Sequence, residues 1–249
     1  MRITKTFLIL ALMGFAFVGC SNSRQHKDPS WTAKPANMQV VFTAPIIMDT
    51  EKDSDGSNDW PIFPWYYTSE NRLPAAGPSA LPIATKDSLM LPDEMKKMSE
   101  WFSSNVDNTL KFNSNVHYKV SEISKDEVSY SEQVADGENI RVPMPKSMDS
   151  AEVYMVLDSI YLKSYVSMRE GAGTNLASVG ITVASAINNN CVQISALYAF
   201  YDSKTAKRLD YGFLEEKQCA DQKVIEHDWQ NVLRELILHA IDKTPIAQF

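Results

Sequence analysis

The acidic stretch EKDSDGSND is the part of the sequence whose residue types are most typical of a metal site. It offers hard oxygen ligands at short spacing: Asp53, Asp55, Asn58 and Asp59. A twelve-residue calcium loop needs glycine at its sixth position and a bidentate glutamate at its twelfth. Here glycine is fourth and the twelfth residue is Pro64. The pattern indicates an acidic, solvated loop, with one weakly held ion as the alternative.

The sequence contains no nucleotide or hydrolase motif. GAGTNL has Leu176 where a dinucleotide fingerprint needs its third glycine, and no GKS or GKT follows. Neither a GxSxG nor an SxxK nucleophile motif is present. Glu215 and Glu216 are neighbours in a predicted strand, so their carboxylates point to opposite faces and do not form an acid–base pair. We therefore expect a noncatalytic protein without a cofactor.

The four histidines are spread too widely to predict a metal site. His26 and His117 lie far apart, and His227 and His239 are twelve residues apart in a predicted helix. Twelve residues rotate about 120° beyond whole helical turns, so these two rings diverge on the helix surface. The pattern favours surface or boundary histidines.

Two cysteines, Cys191 and Cys219, flank a strong hairpin pattern in which VQISALYAFY, DSKTAKR and LDYGFLEE follow one another. Positions equidistant from a hairpin turn face each other, with Cβ atoms about 4.5–5.5 Å apart. That distance is close to disulfide reach, so we predict a Cys191–Cys219 disulfide. Two reduced thiols are the alternative, because a register shift of one residue would place the sulfurs on opposite faces.

The third cysteine, Cys20, follows a segment typical of a secretory signal. Arg2 and Lys5 precede twelve uncharged apolar or small residues, FLILALMGFAFV, and Gly19 comes directly before the cysteine. A bilayer-spanning helix needs roughly 20 apolar residues, whereas this length suits a signal peptide. An ordinary secretory signal cut after Ala16 is the alternative to processing at the cysteine.

The arrangement around Cys20 resembles a bacterial lipobox. The resemblance implies that diacylglycerol is attached to the Cys20 sulfur, that residues 1–19 are removed, and that the new amino group is acylated. Several acyl chains on one residue anchor a protein stably, since each buried methylene contributes about 0.8 kcal/mol. Ser21, rather than aspartate, follows the cysteine. By resemblance to Gram-negative sorting rules, this implies the outer membrane with the domain facing the periplasm.

Charge and size restrict the partners. Removal of residues 1–19 takes away two basic residues and lowers the formal charge from −7 to −9. An acidic chain without a basic patch repels nucleic acid. The remaining chain fits one domain with insertions.

The predicted organisation is a polar tether over residues 20–37 and a single domain over residues 38–249. The tether would span some 20–25 Å on average. A strand is predicted in QVVFTAPII, a helix over Asp93–Phe112, strands in HYKVSEI and EVSYSEQV, a loop or helical turn in VPMPKSMDSA, and a strand in EVYMVLDSIYLKSYVSM. The hairpin and a final amphipathic helix in DQKVIEHDWQNVLRELILHAIDK follow, with a further strand at 179–187 left open.

A long excursion at about 49–85 interrupts this order, and it holds the aromatic run WPIFPWYY. We expect Trp60, Phe63, Trp65 and Tyr66 either to pack back on the domain or to contact a partner. The segment GAGTNLASVGITVASAINNN is expected to be a flexible connection, with contact to a partner or a neighbouring subunit as the alternative.

These elements predict an α/β (α+β) domain with one mixed sheet of about five strands and two main helices packed on it. The lipobox, AEVYMVLDSI, ALYAFYDSKTAKRLDYG and the final helix together resemble a group of envelope lipoproteins. The group includes the curli-secretion lipoproteins, the penicillin-binding-protein activator lipoproteins and the amino-terminal domain of TolB. Ala206 stands where a YD-x-x-T-G-K turn would have glycine, which predicts a longer loop without positive φ.

The resemblance implies a membrane-anchored binding, scaffolding or assembly module. Its partners would be the bilayer, through acylated Cys20, and an unidentified envelope protein, with homo-oligomer formation left open. An accessory lipoprotein of a transport or secretion complex is the first alternative. An envelope hydrolase whose groups meet only in the fold is the second.

Overall fold

The computed structural model describes residues 23–47, 92–148, 151–169, 187–220 and 225–248. Nine strands and two α-helices lie within these ranges. The strands are β1 (Arg24–Lys27), β2 (Asn37–Phe42), β3 (Ile46–Ile47), β4 (His117–Glu122), β5 (Val128–Ala135), β6 (Glu138–Pro145), β7 (Val153–Arg169), β8 (Ile187–Asp202) and β9 (Arg208–Ala220). The helices are α1 (Pro92–Asn113) and α2 (Glu226–Ile241), and a 3₁₀ turn spans Lys125–Glu127.

The main sheet has seven strands: six lie in the order β1-β9-β8-β7-β2-β4, and β3 pairs with Tyr161 and Leu162 in the middle of β7. β2 runs parallel to both β7 and β4, whereas β7, β8, β9 and β1 form an antiparallel series. The expected α/β class with a mixed sheet and two main helices is confirmed. The described sheet has seven strands, where about five were expected.

Both helices pack on one face of this sheet. α1 buries Met98, Phe102, Val106 and Leu110, which recur at helical spacing. α2 buries Trp229 at its start, and seven of its residues are buried in all. The helical spacing of the sequence would also place Ile225 on this buried face, but Ile225 is 56% exposed because it precedes the helix. Its backbone N–H donates to the Asp228 carboxylate at 2.9 Å and so caps the first turn.

The opposite face of the sheet is covered by a two-stranded sheet made of β5 and β6. Ile140 and Val142 of this hairpin pack with Tyr154, Val156 and Tyr201 in a second apolar cluster. VPMP, predicted as a loop or helical turn, is the end of β6. Proline is tolerated in such a strand because the strand has a neighbour on one side only within the described sheet.

The hairpin of β8 and β9 has the predicted register. Cys191 pairs with Cys219 across the ladder, and a disulfide joins them. This prediction is confirmed. The turn differs from expectation, because Ala206 adopts φ +54° and so takes the left-handed conformation that the sequence had suggested it would avoid.

The polar segment after Cys20 also differs from expectation. Arg24–Lys27, predicted as part of a flexible tether, forms β1 at the edge of the sheet. The chain then continues along the domain: the Asp28 N–H donates to the Leu209 carbonyl at 2.9 Å, and Trp31 packs on Phe200 with ring centroids 5.2 Å apart.

Candidate functional site at the amino-terminal strand

β1 fits against β9 because Gly212 leaves room for it. Arg24 pairs with Phe213, Gln25 with Gly212 and Lys27 with Asp210. A Cβ at position 212 would lie 2.8 Å from the Tyr198 ring and would clash with the Arg24 carbonyl oxygen. The glycine is therefore required for the close approach of β1.

β1 also contacts the turn of the β5–β6 hairpin. The Gln25 N–H donates to Asp136 Oδ2 at 2.9 Å, and Arg24 pairs with Glu138 at 3.0 Å. Asp136 and Gly137 form this turn with φ values of 48° and 81°. Such positive φ values are typical of tight hairpin turns. The turn directs the Asp136 carboxylate toward the backbone of β1.

The third contact of β1 is with the end of α2. Gln25 Nε2 donates to the His239 carbonyl at 3.3 Å, and the Lys27 ammonium donates to the Asp242 carbonyl. The last carbonyls of a helix lack partners within the helix and carry the negative end of its dipole. A lysine at this position both donates a hydrogen bond to such a carbonyl and places a positive charge at the negative end of the dipole. β1 thus joins the main sheet, the hairpin and the helical layer.

Beneath β1 lies the buried carboxylate of Asp210. The Tyr198 hydroxyl donates to Oδ1 at 2.8 Å, and Lys27 Nζ lies 4.0 Å from Oδ2. Within the described residues, Oδ2 accepts no hydrogen bond. Burial raises the pKa of Asp210 to about 7, against the opposing effects of the Tyr198 hydrogen bond, the Lys27 charge and the Tyr211 backbone N–H.

Burial also shifts the pKa values of Lys27 and Tyr198, the two neighbours of Asp210. Burial lowers the pKa of Lys27, although the charges of Asp210 and Asp242 oppose this. Burial, followed by the Asp210 charge, raises the pKa of Tyr198 well above its ordinary value. Tyr198 therefore acts as a neutral hydrogen-bond donor.

A second buried carboxylate, Asp158, has a complete set of donors. It accepts hydrogen bonds from the side chains of Thr43 at 2.8 Å, Lys125 at 2.5 Å, Tyr130 at 2.9 Å and Ser159 at 2.8 Å. Burial alone would raise the pKa of Asp158, but the hydrogen bonds from Lys125, Ser159 and Thr43 outweigh it and hold the pKa below its ordinary value. This carboxylate is therefore ionised, and both of its oxygens accept hydrogen bonds.

Ser159 and Lys125 form a nucleophile-like pair that the fold brings together around Asp158. Ser159 has φ +50° at a bulge of β7, and its Oγ accepts from Lys125 Nζ at 3.2 Å. A serine nucleophile needs a neighbouring group that takes its proton. Lys125 Nζ donates both to Asp158 Oδ1 and to the Ser159 hydroxyl, so it acts here as a hydrogen-bond donor. The cluster is suited to holding the bulge rather than to acyl transfer.

An open groove of about 510 Å³ lies beside β4, on the hairpin side of the sheet. Gln39 and Ser121 line it and are joined by a 2.9 Å hydrogen bond; Lys119, Glu127 and Tyr154 also line it. In the described part of the chain, β4 pairs with β2 on one side only. This edge therefore offers backbone groups to a partner.

The structure locates only some of the residues singled out in the sequence. Cys191 and Cys219 are joined, whereas Cys20 and the aromatic residues Trp60, Phe63, Trp65 and Tyr66 lie outside the described residues. The stretches EKDSDGSND and GAGTNL also lie outside them, as do residues 179–186 of the strand left open. Gln25, Lys27 and Asp210 were not predicted; the available signal was a glycine in the interior of a strand, which often marks a close backbone approach.

The histidines do not converge in the described structure. His26 stacks on Tyr211 with centroids 4.8 Å apart, and His239 Nδ1 lies 2.7 Å from Glu216 Oε1. His117 and His227 are exposed on β4 and α2. Across the residues whose placement is described, no three histidine, cysteine or acidic side chains are grouped so as to hold a metal ion. Neither described helix is long and apolar enough to cross a membrane.

Comparisons with known proteins gave only distant similarities. No family model matches the sequence, and a search of characterised proteins gave no match. Among solved structures, the chain is similar to the PelC dodecamer from Paraburkholderia phytofirmans, with 11% identity, a TM-score of 0.34 and coverage of 89% of this chain and 94% of that one. A putative neuraminyllactose-binding hemagglutinin homolog from Helicobacter pylori has 10% identity, a TM-score of 0.29 and coverage of 88% and 87%. Scores this low support no conclusion about fold or function.

Proposed function

We propose that this chain is a lipid-anchored protein of the bacterial cell envelope, held by diacylglycerol on Cys20 at the outer membrane and facing the periplasm. It serves there as a noncatalytic binding, scaffolding or assembly module. The signal segment, the small residue before Cys20 and Ser21 after it support this proposal. The resemblance to envelope lipoproteins agrees with it.

The observation that carries the proposal is Cys20 directly after the signal segment, and the position of β1 sets how closely the anchor would hold the domain. The first residue of β1, Arg24, comes four residues after Cys20. Four residues span at most about 13–14 Å. The anchor therefore acts close to the domain, rather than through the 20–25 Å tether that the sequence had predicted. Because β1 contacts all three layers, the anchor would hold the domain in a restricted orientation.

The buried polar groups support a noncatalytic role. Asp158 accepts hydrogen bonds from four side chains. Asp210 lies beneath β1 with Tyr198 and Lys27 as its neighbours. General acid–base catalysis needs a group within reach of a substrate proton. Neither carboxylate is exposed to such a substrate, since both are fully buried.

Cys20→Ala tests the anchor directly. We expect the natural protein to incorporate labelled palmitate and to sediment with outer membranes, and the variant to lose the label and become extractable without detergent. Ser21→Asp is the matched sorting variant, and it should keep the label but move to the inner-membrane fraction. Unlabelled natural protein would refute lipidation, and natural protein that is labelled but sediments with the inner membrane would refute the placement alone.

The alternative function, an accessory subunit of a transport or secretion complex, is favoured by one feature. Within the described sheet, β4 offers an unpaired strand edge beside the 510 Å³ groove. Strand addition at such an edge is a common mode of recognition. A photo-crosslinker at Lys119, on β4, should then capture one envelope protein in cells, whereas the same crosslinker at Glu132, on the exposed face of β5, should not. Equal labelling from both positions would count against this function.

A further inference from the structure

We infer that β1 is a pH-responsive strap: its seating against β9 is coupled to proton binding by Asp210, so that it holds the domain more tightly as the pH falls. This inference rests on described residues alone. It holds whether or not Cys20 carries lipid.

The first support is the position of Asp210 in the interface. Asp210 is the register partner of Lys27, the last residue of β1. β1 is the outermost strand of the described sheet, so its release would make β9 the edge strand and remove Lys27 from Asp210. The environment of this carboxylate therefore depends on whether β1 is seated.

The second support is the incomplete hydrogen bonding of Asp210. Tyr198 donates to Oδ1, but Oδ2 has no donor among the described residues and lies 4.0 Å from Lys27 Nζ. A buried carboxylate oxygen without a donor disfavours the charged form. The Lys27 ammonium donates to the Asp242 carbonyl at the end of α2 and lies beyond hydrogen-bond distance of Oδ2.

The surrounding charged groups do not make up for the missing hydrogen-bond donor at Asp210 Oδ2. Besides Lys27 on β1 and Tyr198 on β8, the Lys27 end of the interface is faced by Asp242 and Lys243 at the end of α2. Asp136 of the hairpin turn faces Tyr198. Among these described groups, Lys27 is the charge that acts on Asp210 itself, whereas Asp242 and Lys243 act on Lys27.

The direction of the effect follows from linkage. In the folded domain, where β1 covers Asp210, burial raises the pKa of this carboxyl from its ordinary value of 3.8 to about 7. Release of β1 uncovers the carboxylate and so lowers its pKa, and this outweighs the loss of the Lys27 charge because burial is the largest cause of the shift. The seated form therefore binds a proton more strongly than the released form, and seating strengthens as the pH falls below about 7, by at most about tenfold per pH unit. Burial lowers the pKa of Lys27 in the folded domain, so its own titration acts in the opposite sense and favours seating as the pH rises.

Hydrogen exchange tests this on the full-length protein in detergent micelles between pH 5 and pH 8. After correction for the intrinsic exchange rate, we expect protection of a peptide covering residues 23–31 to rise several-fold per unit as the pH falls. A peptide from α2 in the same digest reports global unfolding. Asp210→Asn keeps the acceptor for Tyr198 and removes the charge, so protection of residues 23–31 should become independent of pH.

Two further readouts keep the test decisive. His26→Gln and His239→Gln remove the nearby imidazoles, and both variants should keep the natural pH dependence. Carbon-13 NMR of the Asp210 carboxyl should give an apparent pKa near 7, which covers the case in which Asp210→Asn does not fold. A carboxyl that titrates near 4, a flat natural profile, or a histidine variant that abolishes the slope would overturn the inference.

Discussion

Asp158 and Asp210 show how differently two fully buried carboxylates can behave. Four side chains donate to Asp158, and one of them, Lys125, is charged. Among the described residues, Asp210 has one side-chain donor, and its lysine neighbour stays 4.0 Å away. Burial acts on both, so the number and charge of the donors decide the direction of each pKa shift. The sequence offered no means to count these donors, because Thr43, Lys125 and Tyr130 are distant from Asp158 along the chain.

At the residue scale we predict that Asp158→Ala lowers the free energy of unfolding by about 3 kcal/mol. The variant leaves three hydroxyl groups and an ammonium without their acceptor, although the half-exposed Lys125 regains water. Urea denaturation measures the change. Glu100→Ala, which breaks an exposed pair with Lys96, is the control and should cost less than about 0.5 kcal/mol. Equal effects of the two variants would contradict our account of the cluster.

At the scale of elements, the sequence predicted those whose stabilisation is local or periodic. α1, α2 and the β8–β9 hairpin were recognisable because apolar spacing and the symmetry of the turn determine them. β1 was missed because its residues, RQHK, are polar and are held by groups more than 100 residues away. β6 was missed because its two prolines suggested a loop.

The close approach of β1 leads to a prediction for Gly212→Ala. The added methyl group would clash with the Arg24 carbonyl and the Tyr198 ring, so β1 should be displaced and the free energy of unfolding should fall by about 1–3 kcal/mol. Hydrogen exchange should show lost protection in residues 24–27 and retained protection in α2.

The control for that prediction is Gly137→Ala. A Cβ at position 137 meets no atom within 4 Å, but Gly137 has φ +81°. This variant should lower stability through backbone strain while β1 stays protected. If both variants leave β1 protected to the same extent, Gly212 is not required for its seating.

At the scale of the whole molecule, the main sheet, the β5–β6 hairpin and the helical layer meet at β1. The stability of the molecule depends on pH through two buried carboxyls, Asp210 and Asp158, whose pKa values are shifted in opposite directions. The raised pKa of Asp210 contributes stability that is complete below about pH 4 and is lost as the pH rises through about 7. The lowered pKa of Asp158 contributes stability that is present above its ordinary value and is lost as the pH falls through its value in the folded protein.

We therefore predict a maximum in the free energy of unfolding near pH 4. Urea denaturation from pH 3 to pH 8 measures it, and the slope on the neutral side should be at most about 1.4 kcal/mol per pH unit. Asp210→Asn should flatten that side and leave the acid side unchanged. A natural protein whose stability rises steadily from pH 5 to pH 8 would refute the prediction.

The pairing of β1 with β9 has a mechanical consequence. The chain enters β1 at Arg24, from the side of β9 that leads to Cys219. Antiparallel hydrogen bonds lie perpendicular to the strands. A pull on the amino terminus along the strand axis would load these bonds in shear, all at once, together with the contacts to the hairpin turn and to α2. The edge strand is thus arranged to resist tension collectively, and it would not peel away one residue at a time.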